Sequence, residues 1–337
     1  MDSTASTPGA ITIDLAPDPR RTWAAGPPPI AALRLQMPAA VLDELRSCLG
    51  RWPELLDEPA SLPFIAAEWP SLCRFALELR RGLRHREGVR LVTPPPGTDL
   101  GRAERRLLYL ASARALGTVM TQYGALYEVR DRGVDYQVQT VPVSQTRAPT
   151  GFHTDSSARD ALPDFVGLLC EQPAVRGGGD SRFANALRIF AEMRRESPEL
   201  LAALERSYVR DVVTPGAGRD LAALLHNRFP VFERVDGGDG VLFRYMRFWI
   251  ERGHRHAELP LDPRALAAFD RLDELLERPD NRLELRLGTG DMVWVDNRVF
   301  AHDRSGYEDD PAQPRVLLRT WVRLPPPAGD RAMCARR

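Results

Sequence analysis

Residues 151–169, GFHTDSSARDALPDFVGLL, join a polar quartet to an apolar run that starts near Asp164 and is typical of a buried strand. His153 and Asp155 are two positions apart, so on an extended strand end their side chains share one face. Such a pair can form a surface turn, a local hydrogen bond, or two ligands of a metal site. A metal site would need a third ligand from elsewhere in the chain.

Strand-like segments dominate the sequence that follows. They are rich in β-branched and aromatic residues and include FPVFERV, GVLFRYMRFWI, LELRLGTGDMVWVDN and RVLLRTWVRL. They do not alternate regularly with helices, and the chain has no G-x-G-x-x-G or Walker sequence. We therefore predict an α+β fold with a mainly antiparallel β core, as in a double-sheet jelly roll flanked by helices.

The N-terminal third differs from the rest of the chain in its composition and in the spacing of its apolar residues. Residues 1–30 are rich in Pro, Ala and Gly, which predicts a loosely ordered segment. Residues 31–337 are expected to form a single domain, with a helical part at 31–125 and a jelly-roll core at 126–325. In the helical part, VLDELRSCLGRWPELL and SLCRFALELRRGLRH carry apolar residues at three- and four-residue spacing.

The charge balance argues against a nucleic-acid or membrane partner. The chain has 46 basic and 46 acidic residues, and every basic residue is Arg. An anionic ligand would therefore be held by Arg, whose planar fork suits carboxylates.

The four cysteines form no C-x-x-C pair, and no signal peptide or long apolar span is evident. We expect a cytoplasmic protein with a small-molecule substrate.

A third metal ligand is available at His302. This residue follows the apolar stretch MVWVDNRVFA and begins a polar cluster, as expected where a strand ends. In an antiparallel core, strand ends that are distant in sequence can be neighbours. Two histidines and one carboxylate at three corners of an octahedron leave three positions open, which suits Fe(II) with a chelating cosubstrate and dioxygen.

Two arginines interrupt the apolar strand after His302. Arg315 and Arg319 flank Leu317 at even spacing, so all three point to the same side of a regular strand. Burying unpaired charges is costly, and an anionic ligand such as the distal carboxylate of a keto acid would offset that cost. The alternative is an edge strand with solvated arginines.

Four separated motifs occur in a characteristic order: H-T-D, G-G-D-S, D-N-R-x-x-x-H and R-x-x-x-R. Over residues 135–325 this pattern resembles the taurine dioxygenase/clavaminate synthase branch of the Fe(II)- and 2-oxoglutarate-dependent oxygenases. The resemblance implies a double-stranded β-helix and the metal ligands His153, Asp155 and His302. It further implies that Arg315 pairs with the distal carboxylate of 2-oxoglutarate and that Ser181 hydrogen-bonds this cosubstrate. Arg319 matches a position that helps hold the cosubstrate or an anionic substrate.

The resemblance also implies an activity. Family members use O2 and 2-oxoglutarate to hydroxylate an unactivated C–H bond, releasing succinate and CO2. We expect a small substrate, free or carrier-tethered, such as an amino acid or an amino-acid-derived compound of natural-product (antibiotic) biosynthesis. Desaturation, epoxidation or cyclisation at the same iron site remain alternatives, as does a non-catalytic jelly-roll binding protein. The oligomeric state stays open.

Candidate substrate residues lie on two segments. Gln137 and Gln139 belong to the strand predicted before the H-T-D motif, where alternate residues would face the cavity. Arg244 and Arg247 lie on a predicted aromatic and basic strand, and either could hold a substrate carboxylate. The polar segment 156–164 follows the metal ligands directly and is either a lid or an ordinary surface loop.

Overall fold

The structure, a computed structural model, describes residues 18–135, 141–212, 220–235 and 240–325. The candidate residues Gln137 and Gln139 lie outside these ranges. The helices are α1 (Ile30–Leu33), α2 (Ala40–Arg51), α3 (Pro70–His85), α4 (Arg102–Leu116), α5 (Ala186–Glu196), α6 (Pro198–Leu204), α7 (Leu221–His226), α8 (Arg247–His256) and α9 (Pro263–Glu277). None of these helices combines the length and apolar character needed to cross a membrane.

Most strands belong to two sheets. The strands are β1 (Arg34–Gln36), β2 (Val89–Thr93), β3 (Thr118–Met120), β4 (Tyr127–Val129), β5 (Phe165–Gln172), β6 (Ser181–Asn185), β7 (Ser207–Val209), β8 (Arg228–Pro230), β9 (Phe232–Val235), β10 (Gly240–Phe243), β11 (Arg282–Leu285), β12 (Met292–Asp296), β13 (Phe300–Arg304) and β14 (Val316–Arg323). The larger sheet has the order β1-β2-β12-β5-β14-β3, with β4 also paired to β14. The smaller sheet has the order β11-β6-β13, and β7–β8 and β9–β10 form separate pairs.

The two sheets share one apolar core. Inner-face residues of the larger sheet, such as Val166 and Leu317, belong to the same buried cluster as Phe183 and Phe300 of the smaller sheet. Apart from the parallel β1–β2 pair, the strand pairs are antiparallel. This arrangement confirms the predicted α+β fold with a jelly-roll core.

The outer face of the larger sheet is covered by the N-terminal helices. Leu318 and Val322 of β14 alternate with the inner residues and pack with Leu79 of α3 and Leu107 of α4 in a second buried cluster. The two-residue period of a strand therefore divides β14 between two cores. This layer positions β14, which carries much of the site described below.

Two features of the N-terminal part differ from the sequence prediction. Strand β2 lies in the segment expected to be helical and pairs with both β1 and β12 inside the larger sheet. Residues 18–30, placed in the loosely ordered segment, are instead packed against the body of the protein. Trp23 is 2% exposed, and buried Arg21 forms an ion pair with Asp296.

The predicted strand through residue 250 is wrong beyond Phe243. Strand β10 ends there, and Arg247–His256 forms helix α8. Short apolar runs do not distinguish a buried strand from a buried helix face, which explains the error. Helix α9 agrees better with prediction, because Asp262 caps it by accepting a hydrogen bond from the Ala265 amide, with Pro263 in the first turn.

Candidate metal centre

Two histidines that are distant in sequence form a backbone bridge. The amide of His153 donates to the carbonyl of His302 at 2.9 Å, and the amide of His302 donates back at 2.8 Å. Their imidazole rings are consequently neighbours, with centroids 4.4 Å apart. The antiparallel pairing thus brings the H-T-D motif beside His302, which is the middle residue of β13 rather than the strand end predicted from the sequence.

Asp155 completes the cluster. The candidate ligand atoms of His153, Asp155 and His302 all lie within 4.8 Å of one another, and the three residues form the metal-compatible group identified in the described part of the chain. Oδ1 of Asp155 is 3.9 Å from Nε2 of His153 and 3.7 Å from Nε2 of His302. Nδ1 of His153 lies 2.8 Å from the Gly151 carbonyl, so it carries the proton and leaves the Nε2 lone pair for a metal.

The electrostatics favour the protonation states that a metal requires. Burial, reinforced by the neighbouring His302, lowers the pKa of His153 to about 4, so its imidazole is neutral at physiological pH. Burial alone would raise the pKa of Asp155, but Arg319 and His302 outweigh it and hold that pKa below its ordinary value. A neutral imidazole and an ionised carboxylate are the forms that ligate metals.

The carboxylate of Asp155 is held from several sides. Nη1 of Arg319 donates to Oδ1 at 3.0 Å, and the indole Nε1 of Trp321 donates to Oδ2 at 2.6 Å. The side-chain oxygen of Asn297 accepts a 2.7 Å hydrogen bond from the Asp155 amide. Trp321 was not among the predicted site residues, although its position two residues after Arg319 on the same strand face could have indicated it.

A cavity opens on one side of the two histidines. It is lined by Val129, Val143, Ser144, Thr150, Leu168, Ser181, Asp303, Arg304, Arg315, Leu317 and Arg319 together with His153 and His302. Arg315 is 3% exposed, and its Nη2 donates to the Gly179 carbonyl at 3.0 Å. Nη1 of Arg315 is buried and has no acceptor among the described residues, which fits the carboxylate of an anionic cosubstrate.

The G-G-D-S motif lies beside this cavity, and Arg315 packs closely against its second glycine. Gly179 has φ +73°, and a Cβ there would lie 2.7 Å from Nε of Arg315. A larger residue would therefore displace the arginine. Ser181, which closes the motif, is buried and lines the same cavity.

A second cavity adjoins the cluster. It contacts His153, Asp155 and Arg319, and its other walls are Tyr123, Pro142, Val143, Ser144, Thr154, Ser156, Ser157, Met246, Trp249 and Trp321. Aromatic surface, hydroxyl groups and one arginine thus meet beside the three candidate ligands. His153 and Arg319 line both cavities, as do Val143 and Ser144, so the two spaces adjoin at the cluster.

The two arginines predicted to hold substrate lie away from both cavities. Arg247 is on α8, where its guanidinium pairs with Glu251, Asp270 and Asp273. A guanidinium that already has three carboxylate partners is not a free anion site. Arg244 is buried and donates to the carbonyls of Ala158 at 2.6 Å and Arg159 at 3.2 Å.

The segment 156–164 is anchored rather than free. Besides Arg244, Asn227 contacts it twice, accepting from the Arg159 amide at 2.7 Å and donating to the Ser157 carbonyl at 2.8 Å. Arg323 donates to the Asp160 carbonyl at 3.0 Å. These bonds make the segment a fixed wall behind Ser156 and Ser157 of the second cavity.

Residues 69–321, most of the chain, match the taurine catabolism dioxygenase TauD, TfdA family. The chain belongs to this family. The family assignment confirms the resemblance found in the sequence. It also confirms the predicted enzyme class, an Fe(II)- and 2-oxoglutarate-dependent dioxygenase. The two histidines, the carboxylate and the unpartnered Nη1 of Arg315 fit the iron and the cosubstrate.

Curated relatives include uridine-5'-phosphate dioxygenase of a Streptomyces species, 35% identical over 53% of this chain and 63% of that protein. FR-33289 synthase of Streptomyces rubellomurinus is 27% identical over 72% of this chain and 70% of its own length. This TauD-family chain thus matches slightly less than two thirds of the first relative.

Solved structures support the fold. Asparagine oxygenase in complex with Fe(II), 2S,3S-3-hydroxyasparagine and succinate has a TM-score of 0.60 and 18% identity, covering 86% of this chain and 93% of that one. The non-heme iron oxygenase OrfP with Fe and alpha-ketoglutaric acid has a TM-score of 0.58 and 14% identity, with coverages of 86% and 93%.

Proposed function

We propose that this protein hydroxylates an unactivated C–H bond of a small molecule in natural-product biosynthesis, with release of succinate and CO2. One observation carries the proposal. The Nε2 atoms of His153 and His302 and Oδ1 of Asp155 converge beside a cavity in which Arg315 keeps a buried, unpartnered Nη1. Three ligands on one side and an anion-binding arginine on the other match the needs of iron and a chelating keto acid.

Each residue has a specific task in this proposal. His153, Asp155 and His302 would hold Fe(II), and Arg315 with Ser181 would hold the distal carboxylate of 2-oxoglutarate. When bound, iron and 2-oxoglutarate supply the oxidising chemistry for the C–H bond. The protein orients the substrate and keeps water away, and the buried walls of both cavities support this role.

The second cavity is the proposed substrate site. Tyr123, Met246 and Trp249 offer apolar surface, and Arg319 offers a cation for a carboxylate or a phosphate. An amino acid or its derivative, free or carrier-tethered, fits these features. A nucleotide is the second candidate, because a uridine-5'-phosphate dioxygenase is 35% identical over the matched region.

Other proposals concern organisation. We infer one dioxygenase domain over residues 31–337, with residues 18–30 packed against it, working in the cytoplasm without a nucleic-acid or membrane partner. The buried free thiols of Cys48 and Cys170 support a reducing compartment.

Desaturation, epoxidation or cyclisation would use the same residues, and the outcome depends on how the substrate lies against the iron.

The test is anaerobic binding of Fe(II) and 2-oxoglutarate. We expect the weak visible charge-transfer band of the chelate and, after admission of air, succinate from uncoupled turnover. His302→Ala should abolish both signals, whereas His226→Ala, at an exposed histidine of α7, should retain them. An undiminished band in His302→Ala would refute the ligand set, and no band in the wild type would refute the cosubstrate. Product analysis with candidate substrates then separates hydroxylation from the alternatives.

A further inference from the structure

Arg304 is a second buried arginine in the cavity that contains Arg315. It ends β13 two residues after His302, so both side chains point to the same face of that strand. Its register partner on β6 is Ser181, which lines the cavity too. Arg304 is 6% exposed, and no carboxylate in the described ranges forms an ion pair with Arg304 or Arg315.

Several hydrogen-bond donors near Arg304 lack acceptors among the described residues. Nη2 of Arg304 donates to the Ala148 carbonyl, but its Nε and Nη1 are buried and unpartnered within the described structure, as is Nη1 of Arg315. The two guanidinium carbons lie 5.1 Å and 5.2 Å from the ring centre of Tyr307. The Tyr307 hydroxyl is likewise buried without a partner among these residues.

This arrangement is unfavourable unless an anion binds. A guanidinium group keeps its charge in proteins, so Arg304 and Arg315 place two positive charges in this cavity. Burial lowers the pKa of Arg315. Two cations with open donors in one enclosed space are costly, and a bound carboxylate offsets that cost through charge-assisted hydrogen bonds.

We propose that Arg304 binds the distal carboxylate of 2-oxoglutarate together with Arg315, so that two arginines select a dicarboxylic 2-oxo acid. This inference rests on the proposed function, because it concerns the cosubstrate of that reaction. A carboxylate has two oxygens with about four acceptor sites, enough for donors from both guanidinium groups. Arg304 lies outside the R-x-x-x-R motif and adds a residue to the pocket that the motif does not indicate.

A purely structural role for Arg304 makes a different prediction. Through the Ala148 carbonyl, Arg304 could merely hold the segment before the H-T-D motif. Loss of that contact would weaken binding of every keto acid equally. Contact with the distal carboxylate would weaken only keto acids that have one.

The experiment compares two ligands of equal chain length by calorimetry. Anaerobic protein loaded with Mn(II) is titrated with 2-oxoglutarate and with 2-oxovalerate, which lacks the distal carboxylate. We expect Arg304→Met to weaken 2-oxoglutarate binding about 10- to 100-fold, the range for hydrogen bonds to a charged group, and to change 2-oxovalerate binding less than about twofold. Arg282→Met is the matched control, because Arg282 lies on the same sheet as Arg304 and forms a surface ion pair with Glu277 of α9. This variant should bind both ligands as tightly as the wild type does.

The remaining outcomes are distinguishable. Equal affinity of wild type and Arg304→Met for 2-oxoglutarate, or equal losses for both ligands, overturns the inference and leaves the proposed function intact. A wild type that binds no 2-oxoglutarate overturns both. If Arg304→Met fails to fold, Arg304→Gln keeps a donor for the Ala148 carbonyl without the charge, and the same selective loss is expected.

Discussion

The indole Nε1 of Trp321 donates a 2.6 Å hydrogen bond to Oδ2 of Asp155, while the Nε2 atoms of both histidines lie closest to Oδ1. Trp321 therefore binds Oδ2, whereas Oδ1, which also accepts from Arg319, is the oxygen that lies next to the two histidines. A hydrogen bond of this kind fixes the orientation of a ligand before the metal arrives.

Trp321→Phe should weaken metal binding while retaining most of the ring contacts. Loss of a partner that orients a metal ligand typically costs about 10- to 100-fold in affinity. Calorimetric titration of the metal-free protein with Ni(II) measures the effect. Trp294→Phe is the control, because Trp294 is buried and its Nε1 has no acceptor among the described residues. Equal affinities in the two variants would argue against a positioning role.

Arg319→Met should have opposite effects on stability and on metal affinity. Removing the guanidinium leaves the buried carboxylate of Asp155 without its 3.0 Å ion pair, which should lower the stability of the metal-free protein by about 3–5 kcal/mol. Loss of the same cation removes repulsion toward Ni(II). We expect a lower Tm without metal and a larger rise on adding Ni(II) than in the wild type. Arg323→Met, at the C-terminal end of β14, should not enlarge that rise.

Much of the metal centre was predictable because ligand chemistry and strand geometry are local properties. The i, i+2 spacing of His153 and Asp155 and the even spacing of Arg315 and Arg319 indicate shared faces before any fold is known. The same reasoning applies to Trp321 and Arg304, each two residues beyond a predicted site residue. Neither tryptophan nor arginine is a usual metal ligand, so the spacing alone does not indicate a role for them in the site.

The features of the site that the sequence does not predict depend on tertiary contacts. The sequence of its segment favours a strand and thereby indicates Arg247 as a substrate residue, but its carboxylate partners Asp270 and Asp273 belong to α9. The anchoring of segment 156–164 depends on Asn227 and Arg244, about 70 and 85 residues further along the chain. Spacing within a segment contains no information about such partners.

Asn227→Ala should loosen segment 156–164. The substitution removes the acceptor of the Arg159 amide and the donor to the Ser157 carbonyl. We expect faster hydrogen exchange of the Arg159 amide, measured by mass spectrometry on peptides covering 156–164. Asn281→Ala is a suitable control, since Asn281 is also buried but donates to Asn185 and Leu275. Unchanged exchange would show that Arg244 and Arg323 suffice to hold the segment.

Asp296 should make stability depend on acid pH. Its buried carboxylate accepts from Arg21 at 2.7 Å and from Arg84 at 3.2 Å. Burial alone would raise the pKa of Asp296, but Arg84 and Arg21 outweigh it, so the native pKa lies below the ordinary value. The unfolded chain then binds a proton more readily than the native one. The stabilisation is consequently present above about pH 4, the unfolded pKa, and is lost as the pH falls through the lowered native pKa.

Asp296→Asn is thus expected to lower the free energy of unfolding by about 3–5 kcal/mol at pH 7, because buried Arg21 loses the carboxylate it pairs with and Arg84 keeps only its pair with Asp164. The difference from the wild type should shrink as the pH falls below about 4, since protonation removes the same charge from Asp296. Urea unfolding at pH 7 and pH 3 measures both values. Asp43→Asn removes only an exposed pair with Arg46 and should change stability by less than about 1 kcal/mol. A difference that grew toward low pH would mean that the native pKa of Asp296 is raised.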